Sequence, residues 1–324
     1  MSRARSILGL QVALSAAGIA VTALALVVAL RAVTLKAPSA TALLSACRSF
    51  ALPQLSVGSG VALGLGSAAF AVLALAARFA VRQARASRRF LGGLRLLGPA
   101  PAGATVFASE VPQAFCAGLR RPRIFISTGA IDALEPEELE AVLAHEVHHA
   151  RCRDPLRMFL LRVLSESLFF LPALRRLADR YAALAELAAD AAAVRRHRGD
   201  PRPLASALLA FDERASSGVV GIAPERVDHL LGEPPRWELP LALLAWAAVV
   251  VSAVVVVILR AQQATAGATV SLPLVAAQLC MVAMIVAAPI MGASAILTSR
   301  GLLGRLRGEF RSPGDRVRGI REDG

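Results

Sequence analysis

Leu143-Ala144-His145-Glu146-Val147-His148-His149-Ala150-Arg151-Cys152-Arg153-Asp154 is the stretch on which the reading of this chain turns. It contains H-E-x-x-H, and His145 and His149, four residues apart, share one face of a helix. That spacing lets both imidazoles reach one Zn²⁺, while Glu146, beside the first ligand, is placed to take a proton from a water at the site. With five His and 14 Glu in 324 residues, chance would produce the motif only ~0.003 times. The helix is expected to open at Glu135-Pro136-Glu137-Glu138, where Pro suits the first turn and acids suit the helix dipole. His148 lies about 100° from the ligand pair and reads as a surface residue.

Two histidines leave a catalytic zinc site short of one ligand, which is usually a carboxylate. Glu186 is the candidate. It lies in Leu184-Ala185-Glu186-Leu187-Ala188-Ala189-Asp190-Ala191-Ala192, an otherwise uncharged helical stretch in which the two acids are four apart. A carboxylate among apolar neighbours needs a partner, and the pattern predicts Glu186 as ligand and Asp190 as acceptor for the N–H of a ligand imidazole. Glu166 competes as ligand but has no acid downstream on its helix.

Outward from the motif, the chain is 56% hydrophobic with a mean hydropathy of +0.59, beyond what a soluble fold usually carries. Four charge-free apolar runs have spanning length: about 7–30, 57–77, 239–259 and 270–298. The first exceeds the apolar core of a signal peptide. The net charge of +13 comes from 36 basic and 23 acidic residues. Arg3 and Arg5 precede the first run, Arg78, Arg82, Arg85, Arg88, Arg89 and Arg95 follow the second, and seven arginines between Arg300 and Arg321 follow the fourth. By the positive-inside rule both termini and residues 78–238 are expected in the cytoplasm of a multi-pass plasma-membrane protein, with the basic clusters facing anionic lipid rather than nucleic acid. Cys47, Cys116, Cys152 and Cys280 form no C-x-x-C pair, which excludes a cysteine zinc knuckle.

Residues 78–238 mix arginines and acids in near balance and are expected to fold as a soluble domain. Ala104 to Ala108 and Arg123 to Thr128 read as strands, long helices run to about Arg198, and Phe211 to Trp237 reads as an irregular connection. The fold expected is thus an α-helical membrane protein with four transmembrane helices and a cytoplasmic α+β domain: 1–77 and 239–299 carry two spans each, 78–238 the chemistry, and 300–324 a basic tail.

The motif followed 37 residues later by Glu186-Leu-Ala-Ala-Asp190 resembles the BlaR/MecR-type membrane metallopeptidases. Ala114-Phe115-Cys116-Ala117-Gly118 and Arg123 to Gly129 look like the strands before that family's zinc helix. The resemblance covers about residues 100–235. It implies a zincin-like (gluzincin) domain with one cytoplasmic Zn²⁺ held by His145, His149 and Glu186, and cleavage of a transcriptional repressor, a winged-helix protein, or of the chain itself. The antibiotic-sensing members add a penicillin-binding domain after the last span, which the basic tail does not resemble, so no β-lactam sensing is implied. Two spans on each side of the domain look like the HtpX-type quality-control peptidases, although in that group the third-ligand Glu follows the last two spans.

Gln113 to Gly118, short and Gly-ended, is the candidate edge strand for an extended substrate. Tyr181, His197 and Arg226 are the candidate oxyanion donors. A zinc-stabilised sensor without catalysis would need a fourth protein ligand, and none stands at suitable spacing. An intramembrane protease would set the motif in an apolar span rather than beside Arg151, Arg153 and Asp154.

Overall fold

The structure, a computed structural model, describes residues 2–34, 39–41, 44, 57–214, 223–233, 241–265, 270–271 and isolated positions between 273 and 284. The chain divides into two compact units, Met1–Ala29 with Ala62–Gln263, and Leu30–Val61 with Ala264–Gly324. In the second unit, β1 (Val33–Thr34) pairs in parallel with β6 (Val270–Ser271).

Among the described residues of the first unit, three helices are long and apolar enough to cross a membrane: α1 (Ser2–Ala32), α2 (Val57–Gly92) and α9 (Leu241–Thr265). Val21, Ala25 and Val28 of α1 pack with Ala69 of α2 and with Ile258 and Ala261 of α9. Nearer the start of α1 and α9, Leu14 and Ala247 join Val72 of α2. Thus α1 and α9 run in one direction and α2 in the other. Their outer faces stay apolar, with Phe70 69% and Trp246 56% exposed, as lipid-facing helices require. The second run was expected to end at 77, but α2 continues through its arginines to Gly92. The expected fourth run, 270–298, and the tail, 300–324, lie almost wholly outside the described residues.

Between α2 and α9 sits a mixed α+β domain. Its sheet has the order β2-β3-β5-β4, from β2 (Leu96–Pro99), β3 (Thr105–Phe107), β4 (Ala114–Ala117) and β5 (Arg123–Ser127). β3 and β5 are parallel and the other pairs antiparallel. β5 is buried along Ile124-Phe125-Ile126-Ser127, as a central strand must be, and β4 forms the edge, Phe115 opposite Phe125. It ends at Gly118, whose φ of +112° a side chain rarely tolerates. α3 (Thr128–Ala133) follows, capped by the Ser127 hydroxyl.

α4 (Pro136–Cys152) carries the motif. It opens as its sequence predicts, with a capping box between Glu135 and Glu138 and Pro136 in the first turn. Its apolar face, Leu143 with Leu139 and Val147, packs on Ile124 and Ile126 of the sheet. At Arg153 the backbone turns left-handed, φ 54° and ψ 38°, and the chain reverses into α5 (Asp154–Ser167). A short turn leads to α6 (Ala173–Arg196), which carries Glu186 and Asp190.

The stretch Leu156 to Leu174 thus comprises most of α5, a turn and the start of α6. Leu168, Leu171, Ala173 and Leu174 of that turn are buried against Val72 of α2 and Ala247 of α9. The expected irregular connection, Phe211 to Trp237, is corrected: α7 (Arg202–Arg214) runs through Phe211, and α8 (Pro224–Leu230) forms beyond it. Pro224 occupies the first turn of α8, where a missing N–H costs nothing.

Candidate metal centre

His145 and His149, one helical turn apart on α4, turn their Nε2 atoms toward each other at 3.1 Å. From α6, Glu186 presents Oε2 at 3.4 Å from His145 Nε2 and Oε1 at 3.6 Å from His149 Nε2. One donor atom from each of the three side chains lies within 4.8 Å of the others. α6 packs along α4, which is why residues 37 positions apart in sequence meet.

Each histidine is backed by a carboxylate on its other nitrogen. His149 Nδ1 is 2.9 Å from Asp154 Oδ2. His145 Nδ1 is 2.9 Å from Asp190 Oδ1, close enough for an ion pair although its N–H lies off the hydrogen-bond line; the short distance is what fixes the interaction. A proton on each Nδ1 leaves the lone pairs of both Nε2 atoms facing inward. Asp190 thus lies against the imidazole of His145. Asp154 was read only as a charge beside the motif, and it plays the same part for His149 because the reversal at Arg153 folds it back.

Arg226 on α8 donates to Asp190 from Nε at 2.9 Å and Nη2 at 2.6 Å, and its Nη1 lies 3.4 Å from Glu186 Oε2. Of the three candidate oxyanion donors it is the one that lines the cleft. The other two are corrected. The Tyr181 hydroxyl, buried, donates to Asp154 Oδ1 at 3.1 Å and accepts from Arg157, so it braces Asp154 instead of facing the cleft. His197 caps the far end of α6. Glu166, the competing ligand, pairs with Arg175 at 2.8 Å away from the histidines. His148 is half-buried with Cys152 Sγ 3.5 Å from its Nε2, not on the ligand face.

The electrostatics favour a cation among these groups. Burial alone would lower His145, yet the carboxylates of Asp190, Glu186 and Glu146 outweigh it and raise its pKa to about 9. Burial pushes Asp190 and Glu186 up, but His145 and Arg226 hold both below the usual carboxylate range. Glu146, 8% exposed, is raised by burial, with the two histidines opposing. Once the proton on His145 is displaced, the two Nε2 atoms and the anionic Glu186 carboxylate form a donor set that fits Zn²⁺.

The cleft beside these residues encloses about 360 Å³ and is lined on one side by Ala114, Phe115 and Cys116 of the edge strand and on another by Leu204, Leu208 and Phe211 of α7. The candidate substrate strand thus stands at the cleft, with Gln113 and Gly118 at its two ends.

A profile of the peptidase family described as BlaR1 peptidase M56 matches residues 59–226. The chain is also similar to the protein named protease HtpX homolog 2 of Methanosarcina mazei, 39% identical over 68 residues, 20% of this chain and 23% of that protein. The protein of the same name from Methanosarcina acetivorans is 40% identical over 69 residues, again 20% and 23%. The protease HtpX homolog of Persephonella marina is 43% identical over 51 residues, 15% and 17%. The chain spans less than a quarter of the length of these curated relatives.

Proposed function

The chain belongs to the BlaR1 peptidase M56 family, and on that premise we propose that it is a membrane-embedded zinc metalloendopeptidase that cuts a cytoplasmic protein, a transcriptional repressor or itself, in response to a signal. The observation that carries the reading is the convergence of His145, His149 and Glu186 beside a buried carboxylate, Glu146, that no hydrogen bond or ion pair engages among the described residues.

His145, His149 and Glu186 would hold one Zn²⁺, with Asp190 and Asp154 orienting the imidazoles. When bound, Zn²⁺ supplies Lewis acidity toward a peptide carbonyl and toward water. Glu146 accepts a proton from the attacking water as the C–O bond forms, and returns it to the amide nitrogen as the C–N bond breaks. A carboxylate whose pKa burial raises suits both transfers. The substrate backbone adds to the free edge of β4, and Arg226, already turned toward Glu186, is the donor nearest to developing negative charge.

Arg82, Arg85, Arg88 and Arg89 sit on the end of α2 that leads into the peptidase domain, and the positive-inside rule then assigns this domain and both termini to the cytoplasm, with four spans in all. A second reading, membrane-protein quality control, is favoured by the likeness to the HtpX homologues. A winged-helix repressor as substrate separates the first reading from it.

The test is Glu146→Gln in the full-length protein. It removes the base and keeps the shape, so zinc content and membrane assembly should persist while new protein termini, mapped by mass spectrometry in membranes, disappear. General-base loss is worth about 10² to 10⁴ in rate. Undiminished cleavage by that variant, with the signal supplied, sinks the assignment.

A further inference from the structure

We propose that Gly18 and Gln11 of the first apolar helix are positioning residues for the metal-ligand helix: α1 sets the register of α6, and through it the placement of Glu186 and of the brace behind His149. The inference rests on the metal site argued above and extends it to residues far from the chemistry.

The turn between α5 and α6 is lodged among the three apolar helices, and Gly18 lies against its leucine side chains. A Cβ built there would stand 2.9 Å from Leu168 Cδ1 and 3.0 Å from Leu171 Cδ1, with both leucines at most 1% exposed. About two turns earlier, Gln11 is fully buried and its Nε2 donates to the Leu174 carbonyl at 3.4 Å. Gln11 Oε1 and Ser15 Oγ on the same face are buried without a partner among the described residues. A seam shaped for stability alone would be apolar there, because an unsatisfied buried polar group is costly; a polar contact specifies register instead.

The contact continues down α6. Ile7 of α1 packs with Leu177, Tyr181 and Ala185. Ala185 precedes the ligand Glu186, and Tyr181 donates to Asp154, which holds His149. From Ala173 to Glu186 is about 20 Å of unbroken helix at 1.5 Å per residue. A wedge at Gly18 therefore moves the base of α6, and the helix carries that displacement to the site.

The experiment uses the full-length protein with Co²⁺ and Zn²⁺ as probes. In Gly18→Leu the Co²⁺ absorption spectrum should change and Zn²⁺ affinity, measured by chelator competition, should fall at least about tenfold, as loss of an orienting partner does elsewhere. Leu168→Ala in the same chain makes room for the new side chain and should restore both. Gly9→Leu, on the same helix with nothing within 4 Å of its would-be Cβ, should leave both unchanged. If Gly18→Leu does not assemble, Gly18→Ala is read by the same spectrum, where a shift of lesser size is expected. A wild-type spectrum in whichever Gly18 variant assembles, an equal loss in Gly9→Leu, or no recovery with Leu168→Ala overturns the proposal. A wild type that binds neither ion overturns the metal site and this inference together, a result distinct from those three.

Discussion

Replacing Asp154 tests whether the second carboxylate is part of the metal site. Asp154 is 4% exposed and its two oxygens are fully engaged: Oδ2 with His149 Nδ1 at 2.9 Å, and Oδ1 with the Tyr181 hydroxyl at 3.1 Å and with Arg157 Nη1 at 3.6 Å. In Asp154→Ala the His149 ring loses the acceptor that fixes its tautomer and its orientation, and the Tyr181 hydroxyl is left buried without an acceptor. Removal of such an orienting partner costs metal sites about 10 to 100-fold in affinity, or about 1.4 to 2.7 kcal/mol. Ala should fall at the upper end, since it also strands a buried donor at about 1 to 3 kcal/mol of folding stability. Asn keeps the volume and one acceptor oxygen for His149, and should stay near tenfold. Tyr181→Phe removes one of the donors to Asp154 and leaves the carboxylate on His149, so its effect should stay below about tenfold. Chelator competition on the purified full-length protein measures each constant. Zinc affinity within twofold of wild type in Asp154→Ala would refute the reasoning, and the order Ala, Asn, Phe is part of the expectation.

Two further outcomes follow from the charge environment. With its pKa near 9, His145 is protonated at neutral pH in the metal-free protein, so Zn²⁺ uptake at pH 7 should release about one proton and affinity should climb as pH rises toward 9; calorimetry in buffers of different ionisation enthalpy counts the proton, and a release near zero contradicts it. Cys116 on β4 is pushed up to about 12 by burial, with Glu146 and Asp154 adding to the effect, so at pH 8 its thiolate fraction is on the order of 10⁻⁴ and iodoacetamide should label it far more slowly than a free cysteine peptide of ordinary pKa near 8.5.

The candidate ligand cluster of His145, His149 and Glu186 was legible because its signals are local. His145 and His149 are one helical turn apart, and Glu186 and Asp190 stand out as acids on an otherwise uncharged face. Asp154 was not legible in this way. Five residues after His149, it would lie about 140° around a continuing helix, and only the left-handed turn at Arg153 brings it back, in a residue type that gives no hint of that conformation. Arg226 was nominated for its charge but placed in an irregular segment, because a short helix after Pro224 has too few residues to display a period. β2 escaped notice for the opposite reason: Leu96-Leu97-Gly98-Pro99 carries the two residues least favoured in strands, tolerated at an edge where Pro99 closes the pairing. The packing of α1 on α6 joins residues 163 positions apart, beyond the reach of any periodic pattern.

The charges around the site fit together once their partners are counted. Asp190 is matched by two nitrogens of Arg226, and Asp154 has Arg157 nearby. Glu186 shares Arg226 only at 3.4 Å, and Glu146 has no cationic partner in hydrogen-bond reach among the described residues. The two carboxylates that remain least compensated are therefore the proposed ligand and the proposed base: Glu186 lies within 3.6 Å of both Nε2 atoms, and Glu146 lines the same cleft. In the absence of a cation the imbalance draws a proton onto His145, against the effect of burial. A divalent ion would displace that proton and balance both carboxylates at once. A neutral substitute at either acid should consequently lower the pKa of His145, but only the one at Glu186 also removes a proposed ligand, so metal affinity separates the two acids.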